Sequence, residues 1–206
     1  ALGALASANA VLTPEEREVG TVLLDFGAGT VELAIFYGEA LRHTFVLPLG
    51  GANITSDVAI GLKVPLADAE ILKIASGSAM IQKVRRDELV ELPGVGGRQP
   101  RPIRRQDLSE IIEPRAEEIF GLLRKEILRS GYEESLGAGV VLTGGGSLLD
   151  GLVERLRGHD ALVIPISCVV FAIGGILIQM QEEYVAALTT AWRGAVEIQG
   201  LLVSQE

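Results

Sequence analysis

A short apolar run that ends in one acid and a glycine turn is the feature that most constrains the fold of this chain. Val22-Leu23-Leu24 leads into Asp25, and Gly27-Ala28-Gly29-Thr30 follows before a second apolar run over 31–37. Two strands joined by such a turn bring backbone N–H groups together, because glycine has no Cβ to block the approach. Convergent N–H groups bind anions, and a neighbouring acid can hold a cation or its waters. The turn therefore indicates a phosphate site with a metal-positioning acid, Asp25, or an ordinary glycine hairpin.

The composition limits the classes of partner. Hydrophobic residues make up 48% of the 206 residues and the mean hydropathy is +0.36, so the chain can bury a large core. A formal net charge of −9 disfavours a nucleic-acid partner, and 4% aromatic residues offer few surfaces for base stacking. The single cysteine, Cys168, excludes an internal disulfide and fits a reducing, cytoplasmic setting. The two histidines, His43 and His159, lack metal-ligand spacing.

Apolar spacing predicts the elements of the first third. We expect three antiparallel strands and two helices: strands over 19–24, 31–37 and 41–47, and helices over 54–62 and 66–75. Thr55, Ser56 and Asp57 supply helix-start chemistry for the first helix. Pro65 starts the second, because proline in the first turn loses no hydrogen bond.

Residues 78–102 predict a small accessory sheet, because short apolar pairs alternate there with charged residues before a glycine-rich turn. Four arginines stand within eight residues: Arg98, Arg101, Arg104 and Arg105. They indicate a solvated loop, or a docking edge for an acidic peptide, since Arg favours bidentate carboxylate recognition. The longest helix is expected over 107–130, where Pro114 should kink or break it and Gly131 is a plausible end.

A second glycine unit lies near residue 144. A buried strand is expected over 139–143, followed by Gly144, Gly145 and Gly146, and then by Ser147 as the cap of a helix over 148–156. Three adjacent glycines are costly in chain entropy, so a ligand such as a nucleoside could lie flat against this backbone. A generous turn is the alternative interpretation.

The last 46 residues contain a charge-free run over 161–178, which approaches the length of a membrane span, roughly 20 residues. Pro165 and Gly174-Gly175 divide this run, so it also fits a core strand over 162–166 followed by a turn. A weak amphipathic helix is expected within 182–206. The chain opens within an alanine-rich run that has no Met, which indicates a fragment.

Two strings in one chain connect these observations to a known family. Asp-Phe-Gly-Ala-Gly-Thr (25–30) is similar to the second phosphate motif of the actin-like ATPase superfamily, and Val-Val-Leu-Thr-Gly-Gly-Gly-Ser (140–147) is similar to its adenosine motif. Within that superfamily, the chain resembles the bacterial cell-division family FtsA over about residues 1–158. The further strings that carry the resemblance are 40–44 with 53–59, 64–70, and 93–101 leading to 111–115.

The resemblance implies an α/β fold: the second half of an actin-like (ribonuclease-H-like) ATPase domain with a small inserted α+β subdomain. The larger subdomain would comprise residues 1–62 and 132–181, the inserted one 63–131, and a divergent C-terminal helix 182–206. The family's first half, with its first phosphate loop, is not in this sequence, which implies a nucleotide cleft with one wall missing.

The resemblance also implies site residues for ATP and Mg²⁺. Asp25 would lie near the magnesium and its waters. The phosphates and the nucleoside would be lined by Gly27, Ala28, Gly29, Thr30, Glu70, Lys73, Gly144, Gly145 and Gly146. Ala28 replaces the usual middle glycine, and Glu32 stands where family members often carry Asp.

The implied function is that of a cell-division adaptor on the cytoplasmic face of the membrane at the division septum. Such a protein binds ATP as a structural ligand, is at most a weak ATPase, self-associates into protofilaments and helps recruit division proteins. It connects the membrane to the tubulin-like ring protein FtsZ, whose acidic and apolar C-terminal tail would dock on the inserted subdomain near Arg98–Arg105. The alternatives are a phosphotransferase or hydrolase of the same superfamily, and a membrane protein that spans the bilayer with residues 161–178.

Overall fold

A five-stranded mixed sheet is the centre of the fold in the computed structural model, which describes residues 2–94, 99–158 and 166–168. The strands of the fold are β1 (Thr21–Phe26), β2 (Val31–Tyr37), β3 (Ala40–Leu47), β4 (Leu89–Leu92), β5 (Arg101–Arg104), β6 (Gly139–Thr143) and β7 (Ile166–Cys168). The large sheet has the order β3-β2-β1-β6-β7, and β4 pairs with β5 in a separate two-stranded sheet. β1, β2 and β3 are antiparallel, as expected, whereas β1, β6 and β7 are parallel.

Helices cover both faces of the large sheet. They are α1 (Leu2–Val11), α2 (Pro14–Val19), α3 (Gly51–Leu62), α4 (Leu66–Ser76), α5 (Arg105–Ser130) and α6 (Leu152–Gly158). On β1, Val22 and Leu24 point into the larger hydrophobic cluster with α3 and α5, while Leu23 points to the opposite face under α1. All three side chains are fully buried, which stabilises the fold by about 1.5–3 kcal/mol each.

Helix α5 runs without a break through Pro114, so of the two predicted alternatives, a kink or a break, the break is wrong and the kink stays a prediction. Proline in a helix interior removes one backbone hydrogen bond and costs about 3 kcal/mol. Buried residues on both sides of it, Ile112 and Ala116, hold the helix against the core and offset this cost. The helix ends as expected before Gly131, whose φ of 76° is left-handed.

Two predicted helix starts are wrong. Helix α3 begins at Gly51, because the Asn53 side chain accepts a hydrogen bond of 2.9 Å from the Gly50 N–H. The Ser56 hydroxyl instead donates back to the Ala52 carbonyl within the helix, and the Thr55 hydroxyl lies 3.0 Å from the Gly51 carbonyl oxygen.

The second wrong start follows the triple glycine. Ser147 belongs to a short 3₁₀ helix, Gly145–Leu148, and its hydroxyl donates to the Gly144 carbonyl at 2.6 Å rather than capping an α-helix. The chain then extends, because the Asp150 carbonyl accepts a hydrogen bond of 2.7 Å from Ala79, and α6 begins only at Leu152.

The predicted accessory sheet is confirmed as the β4–β5 pair, preceded by a 3₁₀ turn at Ile81–Lys83. The boundaries of the two expected subdomains stay a prediction, since the larger cluster continues from Leu24 in the sheet to Leu108 and Ile112 in α5. Of the charge-free run 161–178, the structure describes only β7, which pairs with β6; the rest, and 182–206, lie outside the described residues. None of the helices in the described ranges is long and apolar enough to cross a bilayer.

Adjacent residues of α5 test the importance of its buried face. Ile127 is 1% exposed and Leu128 is 43% exposed. We expect Ile127→Ala to lower the free energy of unfolding by about 2–5 kcal/mol, because it leaves a cavity in the core. Leu128→Ala should lower it by about 1 kcal/mol or less. Urea unfolding followed by circular dichroism measures both, and equal losses would contradict the assigned orientation of α5.

Candidate functional site

The two glycine segments meet at one edge of the large sheet. Because β1 and β6 are parallel, their carboxyl ends lie side by side, and Asp25 is the register partner of Thr143. The turn 27–30 continues from one strand and the triple glycine 144–146 from its neighbour. Parallel pairing therefore brings together residues that are more than a hundred positions apart in the sequence.

The turn 27–30 is fastened to the start of α3. The Gly51 and Ala52 N–H groups donate to the carbonyls of Gly27 and Ala28 at 3.0 and 2.7 Å. A Cβ on Gly50 would lie 2.6 Å from the Ala28 carbonyl oxygen, so only glycine allows this approach. The start of α3 thus fixes the position of the turn through its two carbonyl groups.

The outer side of the turn is open. Ala28 and Gly29 are exposed, and no atom lies within 4 Å of where a Gly29 Cβ would be. Their N–H groups donate to no acceptor among the described residues. An anion can therefore reach free N–H donors at this turn, which fits the phosphate interpretation of the motif.

Asp25 lies between the two glycine segments and α1. Its Oδ2 accepts a hydrogen bond of 2.5 Å from the Ser7 hydroxyl. Its Oδ1 lies 2.5 Å from where a Cβ of Gly144 would be, so Gly144 leaves room for the carboxylate. Ser7 is not among the predicted site residues, because nothing in the alanine-rich run 1–10 distinguishes a hydroxyl that faces a strand end.

The three glycines of 144–146 have three different surroundings. Gly144 has a left-handed φ of 87°, and a Cβ on Gly146 would lie 2.1 Å from the Phe26 ring. A Cβ on Gly145 would meet no atom within 4 Å. The backbone conformation and the packing thus require glycine at positions 144 and 146. Gly145 faces open space at the end of the sheet where Asp25 lies.

Glu70 and Lys73 form a polar cluster with α3. The Lys73 Nζ donates to the Gly51 carbonyl at 3.1 Å, to the Thr55 hydroxyl at 2.8 Å and to Glu70 Oε2 at 2.7 Å. Thr55 also donates to Glu70. Since the Gly51 N–H donates to the Gly27 carbonyl, this cluster adjoins the glycine turn. Thr55, which was expected to start a helix, belongs to the cluster.

Burial acts to raise the pKa of the Glu70 carboxyl, but the hydrogen bonds from Lys73 and Thr55 and the Lys73 charge outweigh it, so this pKa is lowered. The lowered pKa keeps Glu70 ionised at pH values where an ordinary glutamate would already bind a proton. The cluster therefore presents an ammonium, Lys73, whose side chain is 12% exposed, compensated by a half-exposed carboxylate.

The arginines of the predicted docking edge differ in their surroundings. Arg105 is 19% exposed and donates to the Ser76 carbonyl at 2.7 Å, and it pairs with Glu88 and Asp150, both at 3.1 Å. Arg104 is 60% exposed and pairs with Asp107. Arg101 is exposed and has no ion pair within the described ranges, and Arg98 lies outside them. Arg105, the first residue of α5, thus joins this helix to neighbouring segments, and Arg101 and Arg104 face solvent.

The described residues contain no group of three or more His, Cys, Asp or Glu side chains that could hold a metal ion by themselves. His43 pairs with the buried Glu126 at 2.9 Å and so joins β3 to α5, while His159 lies outside the described residues. Within the described part of the chain, Asp25 would need waters or a bound anion to complete a metal site.

The fold resembles solved actin-like structures. MreB5 of Spiroplasma citri bound to AMPPNP matches 80% of this chain and 52% of its own chain, with a TM-score of 0.64 and 18% identity. A MamK double helical filament matches 72% of this chain and 49% of its own, with a TM-score of 0.56 and 17% identity. These likenesses, together with the mixed sheet, confirm the expected fold class: an α/β domain of the actin-like ATPases.

The sequence comparisons identify the family. The model of the family "Cell division protein FtsA" matches residues 22–187. The chain is 46% identical to cell division protein FtsA of Pseudomonas aeruginosa over 150 residues, which are 73% of this chain and 36% of that protein. It is also 46% identical to the Escherichia coli K12 protein over 155 residues, 72% of this chain and 37% of that protein. The chain belongs to the FtsA family, and it spans a little over a third of the length of these relatives.

Gly146 and Gly145 differ in the space that is available for a side chain, and this difference can be tested. We expect Gly146→Ala to lower the free energy of unfolding by about 1–3 kcal/mol, because its Cβ would collide with the buried Phe26 ring. Gly145→Ala, with open space and no left-handed φ, should change it by about 0.5 kcal/mol or less. Thermal unfolding measures both. Equal stability of the two variants would show that the Phe26 contact does not restrict Gly146.

Proposed function

We propose that this chain binds ATP with Mg²⁺ at the sheet edge where the two glycine segments meet. The observation that carries the proposal is the position of Asp25, with the open N–H groups of 28–29 on one side and Gly144 on the other. Free backbone donors suit phosphate oxygens, and a carboxylate suits a magnesium ion that keeps several waters.

Each candidate residue then has a role. The N–H groups of Ala28 and Gly29 would hold phosphate oxygens, and Gly27 and Thr30, joined by a hydrogen bond of 2.9 Å, would close the turn that lines them. Gly144, Gly145 and Gly146 would flank the nucleoside. Asp25 would position Mg²⁺, which neutralises phosphate charge when bound. Lys73 and Glu70, next to the turn through Gly51, would contact the nucleoside. MreB5 was solved bound to AMPPNP, which supports a nucleotide for this fold.

We propose ATP as a structural ligand rather than a rapidly consumed substrate. The acids beside the open turn are Asp25 and Glu32, and each already accepts a hydrogen bond from α1. No residue next to the turn in the described part of the chain has the geometry of a strong general base. We therefore expect hydrolysis to be weak.

In the cell we propose the role of a division adaptor, as the name of the family suggests. The whole protein would connect the FtsZ ring to the cytoplasmic face of the membrane at the septum, self-associate and help recruit division proteins. The MamK filament supports self-association for this fold. The FtsZ tail would dock on the inserted segment 63–131, where Arg104 shares the outer face of the β4–β5 pair with the exposed Leu89.

We expect the 206-residue chain to bind ATP with a Kd of about 1 mM or weaker, because the donors at 28–29 are exposed and open space lies beside Gly29 and Gly145. An NMR titration of the ¹⁵N-labelled chain with MgATP measures the Kd and its location. Amide shifts should concentrate at 27–30 and 144–146. Shifts confined to other segments, or no shift up to solubility, would overturn the nucleotide proposal.

A matched pair of lysine variants tests the contribution of the polar cluster. Lys73→Gln should weaken ATP binding about threefold or more, since it removes a charged donor beside the turn. Lys125→Gln removes the same charge from an exposed position on α5 and should leave the Kd unchanged. Equal effects of the two variants would mean that only net charge matters.

The docking proposal predicts that charge reversal on β5 weakens tail binding, whereas charge reversal on β3 does not. Arg101→Glu and Arg104→Glu should each weaken binding of the acidic FtsZ tail peptide about threefold or more, because both guanidinium groups are exposed. Arg42→Glu changes the same charge on exposed β3 and serves as the control. A fluorescence titration of the labelled peptide measures the Kd. If all three variants bind like the wild type, the tail docks elsewhere.

A further inference from the structure

Helix α1 contacts both acids that flank the glycine turn. Asp25 and Glu32 are register partners across β1 and β2, so their side chains lie on the same face of the sheet. The Ser7 hydroxyl donates to Asp25 Oδ2 at 2.5 Å, and the Ala4 N–H donates to Glu32 Oε2 at 2.7 Å. The start of α1 therefore covers the acid pair at the base of the proposed phosphate turn.

Small residues make this close contact possible. Ala4 and Ala8 are almost fully buried against the sheet, in a cluster with Leu23 and Ala34. A Cβ on Gly3 would lie 2.8 Å from the Glu32 carboxylate oxygens. Because the helix approaches so closely, a side chain as short as serine reaches the Asp25 carboxylate.

One hydrogen bond fixes the Asp25 carboxylate. Oδ2 accepts from Ser7, and Oδ1 lies in the space that a Cβ on Gly144 would fill. A carboxylate with one oxygen bonded to a fixed donor loses rotation about its last torsion, so the direction of its remaining lone pairs is set. Asp25 and Ser7 are both partly buried, which limits the access of water that would compete for this bond.

We propose that Ser7 is a positioning residue that sets the Asp25 carboxylate for Mg²⁺ and thereby governs the Mg²⁺-dependent part of ATP binding. The proposal rests on the ATP site proposed above. Ser7 does not touch the nucleotide; it acts through Asp25. Since Ser7 belongs to α1, the metal affinity of the site also depends on how α1 packs against the sheet.

The test compares ATP affinity with and without magnesium. NMR titrations of the ¹⁵N-labelled chain, one with ATP in EDTA and one with MgATP, give two Kd values. The Kd in EDTA divided by the Kd with Mg²⁺ measures the Mg²⁺ contribution. We expect Ser7→Ala to lower this ratio about three- to tenfold, while the Kd in EDTA stays within about twofold. Ser7→Thr keeps the hydroxyl and should restore the ratio.

Three further variants isolate the mechanism. Ser7→Cys preserves the side-chain size with a poor donor, so it should behave like Ser7→Ala even if the smaller alanine side chain disturbs packing. In an Asp25→Asn background, Ser7→Ala should cause no further loss, because Ser7 acts only through the carboxylate. Ser56→Ala removes a hydroxyl that bonds only within α3 and should leave both Kd values unchanged.

The outcomes separate two kinds of failure. A wild-type chain that binds ATP in neither titration overturns the proposed function, and this inference with it. A wild-type chain with a Mg²⁺-dependent Kd, whose ratio is the same in Ser7→Ala and Ser7→Cys, overturns the role of Ser7 alone. Equal weakening in EDTA and in Mg²⁺ also overturns it, because that result indicates a structural effect on the whole site.

Discussion

The parallel pairing of β1 with β6 is the interaction on which the rest of the structure depends. It joins residues 21–25 to residues 139–143 and places two glycine segments at one edge of the sheet. The pairing holds because β1 is buried on both faces, with Val22 and Leu24 against one cluster and Leu23 against the other. Because β1 also pairs with a strand on each side, water has little access to its hydrogen bonds, and the register that places the site residues is fixed by the core.

Helices on opposite faces of this sheet have different tasks. Helix α5 contributes buried apolar side chains, with Phe120 packed edge-on against Phe26 at a ring distance of 6.4 Å, and thus supports the strand that ends at the glycine turn. Helix α1 packs on the sheet mainly through small alanine side chains, and it donates hydrogen bonds to the acids Asp25 and Glu32. Helix α5 stabilises the strand that carries the site, and α1 orients the carboxylates of Asp25 and Glu32.

Much of the local structure could be predicted from spacing alone. The three antiparallel strands, helix α4 and strand β6 were expected close to their observed bounds, because their apolar periods are clear. The starts of α3 and α6 could not be predicted, since each depends on a contact outside the helix: Gly51 with the turn at Gly27, and Asp150 with Ala79. Arg105 looked like its neighbours Arg101 and Arg104, yet its distant partners Glu88 and Asp150 make it part of the fold.

The sequence by itself determined the motifs: an acid before a glycine turn, a triple glycine after a buried strand, and the strings that identify the FtsA family. Such features are local, so the order of residues is enough to reveal them. Only the tertiary structure decided which groups surround Asp25. The approach of Ser7 and the gap beside Gly144 arise from packing α1 and β6 against β1, and contacts between segments so far apart leave no local pattern in the chain.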